Sequence, residues 1–211
     1  MPRREDSTVN RVIAYVDGFN LYYGLRSKHW RWFYWLNIQS MVQRLLKPDQ
    51  TLTVTKYFTS IVDSPPVKHQ RQNEFLEVLR TLTDFKIYYG HYLSDTVTCV
   101  NCGYSYQAFH EKMTDVNIAV ELMSDAYQDT FDIALLVSAD SDLVGPIQAM
   151  RQLFSRKRVL VAFPPARYSN ALKRVAHGYL NVSRNILYQS VFPDQVVAAS
   201  GHILQRPATW H

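Results

Sequence analysis

Four aspartates, at two distant points of the chain, are the residues best suited to do chemistry. Asp17 closes one short apolar run, and Asp140 and Asp142 close a second. Asp115 opens a helix-like segment shortly before the second run. Carboxylates gathered at one place repel one another unless a cation offsets their charge. Because hard cations prefer oxygen ligands, the pattern suggests a divalent metal site.

The elements around these residues explain how they would meet. Short apolar runs bounded by turn residues predict buried parallel strands. Ligands of open α/β sheets lie outside the carboxyl ends of such strands. Strand and helix patterns alternate along the chain, which predicts an α/β fold with a central parallel sheet flanked by helices. The predicted strands lie at about 12–16, 51–62, 86–93, 131–138 and 157–163, and the main helices at about 38–46, from 65 onward, at 114–129 and at 143–154.

The chain has 211 residues, enough for one α/β domain with a small appendage. We expect a flexible lead-in at 1–10 and one domain at 11–192 with a small insertion at 94–110. Residues 166–192 indicate helical or mixed structure. The C-terminal tail, 193–211, has little pattern and is either flexible or an extra docking segment.

Each acidic position also has an ordinary structural interpretation. Asp17 can form an Asx turn or cap a helix, and Asp142 can cap the next one. Thr114 or Asp115 can cap the 114–129 helix, with a favourable helix-dipole contact. Capping explains the Asp140 and Asp142 pair less well, because one carboxylate caps and the other remains as a charge beside it.

Three segments together resemble the NYN domain family of the PIN-like nuclease superfamily, specifically its bacterial LabA-like branch. They are the Val-Asp-Gly-Phe-Asn turn at 16–20, the Glu-Lys-x-Thr-Asp-Val-x-Ile segment at 111–118, and Leu-Val-Ser-Ala-Asp-Ser-Asp-Leu at 136–143. The resemblance implies a Rossmann-like sheet with Mg²⁺ or Mn²⁺ at one edge. It covers about residues 11–190.

The resemblance also implies roles for single residues. Two departures from the family pattern are Ala139, where members usually have glycine, and Glu121, where many have aspartate. Lys112 either contacts a phosphate and steadies the acids or is a solvated lysine at a helix start. The implied metal ligands and catalytic residues are Asp17, Asp115, Asp140 and Asp142, and the implied supporting residues are Asn20, Ser138, Thr114, Lys112 and Glu121.

The implied activity is metal-dependent hydrolysis of phosphodiester bonds, with single-stranded RNA as the favoured substrate. One alternative is a catalytically weak regulator that binds RNA or nucleotides and retains the metal site. Another is an interaction module whose acids hold a structural cation. The net charge of +5 and the pI near 9.2 permit a polyanionic partner but do not identify one.

Basic and aromatic residues supply candidate RNA contacts. Arg167, Lys173 and Arg174 follow a predicted strand, on the same rim as the acids, where they can bind the nucleic-acid backbone. Tyr168 and Tyr179 can stack bases nearby. The aromatic run at 30–35 either stacks bases or, more commonly for such residues, packs in the core or in a subunit contact.

Cys99 and Cys102 have the spacing of half a zinc ribbon. A structural Zn²⁺ takes four ligands, which His91 and His110 or a second subunit would have to complete. A degenerate turn with two free thiols is the favoured alternative.

The chain shows neither a secretory signal nor a run of roughly 18 apolar residues. With only two cysteines, these features predict a cytoplasmic protein that does not bind membranes. A homodimer is one expected arrangement.

Overall fold

The fold is described from a computed structural model, which covers residues 9–62 and 65–210, with the backbone alone at 92–95 and 106–112. The strands in these ranges are β1 (Asn10–Asp17), β2 (Gln50–Thr59), β3 (Phe85–Tyr89), β4 (His91–Thr98), β5 (Ser105–Lys112), β6 (Ile133–Val137), β7 (Arg158–Phe163), β8 (Gly178–Asn181), β9 (Gln195–Val197) and β10 (Ile203–Gln205). The helices are α1 (Gly18–Ser27), α2 (Ile38–Gln43), α3 (Pro66–Leu79), α4 (Thr114–Tyr127), α5 (Val144–Leu153), α6 (Asn170–Val175) and α7 (Arg184–Tyr188).

Six strands form a central sheet in the order β3-β2-β1-β6-β7-β8, and every neighbouring pair is parallel. The predicted α/β fold with a central parallel sheet is therefore confirmed. The chain proceeds from β1 to one edge and then returns to β6 on the other side of β1. The crevice outside the carboxyl ends of β1 and β6 is thus the topological switch point, where ligands of such sheets bind.

The two central strands are apolar over 12–16 and 133–137 because both of their faces are covered there. Val12, Ala14 and Val16 face one hydrophobic cluster, and Ile13 and Tyr15 face a second on the opposite side of the sheet. Alternate side chains of a strand point to opposite faces, so this run of consecutive apolar residues fills two cores at once. The strands that end at the switch point are therefore held rigidly.

Several predicted boundaries differ from the structure. The strand expected at 86–93 is divided near Gly90 into β3 and β4, and the 94–110 insertion lies within an antiparallel hairpin of β4 and β5. The region at 166–192, expected to be helical or mixed, contains a sixth sheet strand, β8. The expected flexible lead-in falls on residues 1–8, which lie outside the described residues, while Asn10 already begins β1.

The C-terminal segment packs against the domain. The sequence had left two possibilities for it, a flexible tail or an extra docking segment. Its two strands, β9 and β10, pair antiparallel. Trp210 is buried, and its ring centroid lies 6.1 Å from that of Trp35 and 5.7 Å from that of Tyr34. Trp35 and Phe33 are themselves buried, which supports core packing for that part of the aromatic run. No helix in the described ranges has the length and apolar character needed to cross a membrane.

Candidate metal centre

A small cavity of about 230 Å³ opens at the switch point. Asp17 at the end of β1 and Asp140 just after β6 line it from two neighbouring strands, and Thr114 and Asp115 line it from the start of α4. Arg167, which follows β7, completes the rim on the other side. The fold therefore brings together residues that are up to 150 positions apart in the sequence.

Asp17 is buried and hydrogen-bonded within the protein. Its Oδ1 accepts a hydrogen bond from the backbone N–H of Asn20 at 2.9 Å, which caps α1. Its Oδ2 accepts one from the Ser138 hydroxyl, also at 2.9 Å. Ser138 Oγ in turn accepts the backbone N–H of Asp140 at 3.0 Å. Asp17 thus caps a helix, as the ordinary interpretation holds, and also fixes the loop that carries Asp140.

Asn20 and Gly18 hold α1 in place beside this loop. The Asn20 side chain accepts a hydrogen bond from the backbone N–H of Ala139 at 3.2 Å. At Gly18, an added Cβ would lie 2.5 Å from the Tyr57 hydroxyl oxygen. Only glycine allows the helix to begin so close to β2. The family resemblance implied a supporting role for Asn20, and in the structure its side chain links α1 to the loop after β6.

Three carboxylates lie close together: those of Asp115, Asp140 and Asp142. One oxygen from each lies within 4.8 Å of the others. Asp115 and Asp140 are half-buried and Asp142 is exposed. Asp140 Oδ1 also accepts the backbone N–H of Asp142 at 3.0 Å, so Asp140 is the capping residue here and Asp142 is not. Three carboxylates at this separation favour a cation between them. Oxygen ligands of this kind fit Mg²⁺ or Mn²⁺.

The start of α4 differs from the sequence prediction. Met113 occupies the N-cap position with φ of 78°, and neither Thr114 nor Asp115 is the cap. Thr114 is buried in the first turn, and Asp115 follows it there, where the helix dipole stabilises a negative charge. The side chain of Lys112 lies outside the described residues.

Glu121 does not join the three aspartates. Its carboxylate accepts a hydrogen bond from Lys56 Nζ at 2.6 Å, and Lys56 also contacts Asp125 at 2.6 Å. Tyr15 donates its hydroxyl to the same Asp125 oxygen at 2.6 Å. Glu121 therefore belongs to an ion-pair cluster that attaches α4 to the sheet, and it is not among the grouped carboxylates of the described residues.

Of the three predicted RNA-binding cations, one lines the cavity and two lie on α6. Arg167 lines the cavity, and its Nε is buried with no hydrogen-bond partner among the described residues. Lys173 Nζ lies 4.5 Å from the centroid of the Tyr179 ring and 6.0 Å from that of Tyr168. Hydrogen bonds with these two tyrosines raise the pKa of Lys173. Arg174 is exposed on the same helix, α6.

The cysteine pair lies at the turn of the β4–β5 hairpin, and both thiols are free. His91 begins β4, and His110 pairs with Leu93. A strand rises about 3.3 Å per residue, which separates both histidine positions from the turn by roughly 20 Å or more. This separation of the backbone positions favours the alternative of a degenerate turn with two free thiols over a zinc site completed by these histidines.

Sequence reasoning missed two aromatic residues of the cavity. Phe19 and Tyr23 line it from α1. Their spacing of four residues puts them on one face of the helix that follows Asp17, so helical periodicity was the available signal.

Comparison with known proteins agrees with this architecture. The sequence matches the NYN domain over residues 11–183. Since that match covers most of the chain, the protein belongs to the NYN domain family, a family of PIN-like nucleases.

The structure is also similar to the crystal structure of a protein of unknown function from Vibrio parahaemolyticus. The TM-score is 0.60 at 18% sequence identity, covering 86% of this chain and 98% of that chain. At this identity the likeness shows the fold alone. No curated protein matches the sequence.

Proposed function

We propose that this protein is a metal-dependent nuclease that hydrolyses phosphodiester bonds in single-stranded RNA. The observation that carries the proposal is the cluster of Asp115, Asp140 and Asp142, with carboxylate oxygens within 4.8 Å of one another at the switch point of a NYN domain. An exposed acidic group is common on protein surfaces. Three that converge from α4 and the loop after β6, beside the buried Asp17, are much harder to explain by solvation alone.

NYN and other PIN-like nucleases typically use divalent metals. Because the donor set consists of carboxylate oxygens, we propose Mg²⁺ or Mn²⁺ as the ion. Asp115, Asp140 and Asp142 would hold the ion, and Asp17 is the proposed fourth acid of the site. A bound divalent ion neutralises charge on the scissile phosphate and lowers the pKa of its water.

The chain's own residues have separate tasks in this account. Asp17, Ser138 and Asn20 fix the loop that carries Asp140, so that the carboxylates are positioned before substrate arrives. Arg167 lines the same cavity, and its buried Nε has no hydrogen-bond partner within the described ranges. We assign its guanidinium group to a phosphate oxygen of the substrate. We assign Lys173 and Arg174 to the nucleic-acid backbone beyond it, with Tyr168 and Tyr179 as stacking surfaces.

We also propose the LabA-like branch of the family and a cytoplasmic location. The turn at 16–20 and the segment at 136–143 support the branch. Free thiols at Cys99 and Cys102 support a reducing compartment.

The experiment that tests the function is cleavage of end-labelled single-stranded RNA and DNA by the purified protein with Mn²⁺, Mg²⁺ or EDTA. We expect RNA to be cut with either ion, no cutting in EDTA, and recovery when the ion is restored in excess. Cutting that persists in EDTA would refute metal dependence. RNA binding without any cutting would favour the regulator instead, and preferential cutting of DNA would correct the substrate.

A further inference from the structure

A second and larger groove, of about 1240 Å³, lies beside the metal centre. Its walls are α1, the turn at Arg31–Tyr34, the first half of α3 and the C-terminal residues Thr209 and Trp210. Small-molecule sites typically enclose about 300–1,000 Å³. The size of this groove is therefore better suited to a segment of a polymer than to a single nucleotide.

The groove is positively charged. Arg26, Arg31, Lys68 and Arg71 line it, and its lining within 9–62 and 65–210 includes no aspartate or glutamate. Among the described residues, none of these four cations forms an ion pair with a carboxylate. Cations gathered along a concave surface without acidic partners indicate a polyanionic ligand.

A continuous series of aromatic rings runs along the same groove. The ring centroids of Phe19 and Tyr23 lie 6.2 Å apart, and those of Tyr23 and Tyr22 lie 5.4 Å apart. The series continues from Tyr22 to Tyr34 at 5.1 Å and from Tyr34 to Trp210 at 5.7 Å. Tyr22 and Tyr23 remain more than a third exposed. Exposed rings interleaved with cations are the arrangement that binds single strands, since unpaired bases stack on the rings.

The groove is continuous with the metal centre. Phe19 and Tyr23 line both cavities, so the aromatic series begins at the acidic residues and leads away from them. The aromatic series runs toward α3, which follows β2 on one side of β1, whereas α6 follows β7 on the other side in the sheet order. It is thus separate from the surface that carries Lys173 and Arg174.

From these features we propose that the groove binds the unpaired nucleotides on one side of the scissile phosphate. The inference rests on the proposed function and adds a second binding surface to it, formed by Arg26, Arg31, Lys68 and Arg71 with the aromatic series. Because stacking needs free base faces, the groove selects single strands over duplexes.

The test is binding of fluorescent single-stranded oligonucleotides of about 4 and about 16 nucleotides, the range of common single-strand site sizes. Binding is measured by anisotropy in EDTA, where the proposed function predicts no cleavage. The groove variant is Arg26→Gln with Arg31→Gln and Lys68→Gln, three exposed side chains. The control variant is Lys47→Gln with Arg156→Gln and Arg158→Gln, exposed at the amino-terminal edge of the sheet and with the same loss of charge.

We expect the groove variant to bind the longer strand at least about tenfold more weakly than the wild-type protein. The slope of log affinity against log salt concentration should become shallower by about 2, because each lost phosphate contact removes roughly 0.7 from the slope. The control should change neither. Tyr22→Ala should weaken binding of the longer strand by about tenfold as well, through lost stacking.

Equal losses in the two triple variants, or no loss in either, would overturn the groove assignment, and metal-dependent cleavage would then still support the proposed function. Groove-dependent binding without any metal-dependent cleavage would refute the nuclease and leave the groove as a binding site. Failure of the wild-type protein to bind any single strand would overturn the proposal in favour of a protein ligand.

Discussion

Replacing Asp140 by asparagine should reduce RNA cleavage by about 10³-fold or more and leave the fold intact. A loss of that size corresponds to about 4 kcal/mol of transition-state stabilisation. The substitution separates the two roles that Asp140 has in the structure. Asparagine caps helices as well as aspartate does, so the hydrogen bond to the Asp142 N–H is retained. Only the negative charge, which the metal account requires, is removed.

Affinity for RNA should be similar or somewhat higher, because one carboxylate no longer repels the phosphates. Rates come from single-turnover cleavage of end-labelled RNA, and affinity from anisotropy. Asp84→Asn is the matched control: Asp84 is exposed, and its φ of 52° suits asparagine. If Asp140→Asn cut RNA at the wild-type rate, Asp140 would be a helix cap and nothing more.

The second large effect concerns stability. Lys56→Met should lower the free energy of unfolding by about 3 kcal/mol, measured by urea denaturation. The Lys56 side chain is only 5% exposed, and its removal leaves the Glu121 and Asp125 carboxylates without a counter-ion. We choose the lower end of the range for broken buried pairs because Glu121 remains a quarter exposed.

The pKa shifts of Lys56 and Glu121 reflect the contacts within this cluster. Burial opposes the charged form of Lys56, but hydrogen bonds to Asp125 and Glu121 outweigh it and raise its pKa. Burial likewise opposes ionised Glu121, and hydrogen bonds from Lys56 and Tyr88 outweigh it and lower its pKa. Glu121 therefore contributes to the free energy of unfolding at pH values above its ordinary pKa of 4.5. That contribution is lost as the pH falls through the lower pKa that Glu121 has in the folded protein.

The control is a triple variant, Lys56→Met with Glu121→Gln and Asp125→Asn. Removing all three charges together should recover much of the loss, since no uncompensated charge remains and Tyr15 can still donate to the amide oxygen. A triple variant as unstable as Lys56→Met would show that packing of the lysine stem, and not its charge, stabilises α4.

The sequence was sufficient to predict the parallel sheet and the meeting of the aspartates. Both depend on local patterns: apolar runs fill β1 and β6, three of the acids lie at or just after the ends of these strands, and Asp115 lies in the first turn of α4. The β8 strand was missed because its four residues, Gly178–Asn181, have no β-branched run, and pairing with β7 determines its conformation.

The partner of Glu121 and the groove could not be predicted for a different reason. Lys56 is 65 positions from Glu121, and only the packing of α4 on β2 brings them together. Helical geometry does put Glu121 about 120° around the helix and about 9 Å along it from Asp115, which argues against a shared site. The groove combines α1, α3 and the C-terminal segment, and no local pattern links those three.

The central claim is that the three aspartates hold a divalent ion, and Mn²⁺ titration followed by electron paramagnetic resonance tests it without any assumption about substrate. We predict saturable Mn²⁺ binding by the wild-type protein and by Asp84→Asn. Asp140→Asn should bind at least about tenfold more weakly, in line with the loss of one ligand. Equal Mn²⁺ affinity in all three proteins, or no saturable binding by the wild type, would contradict the account.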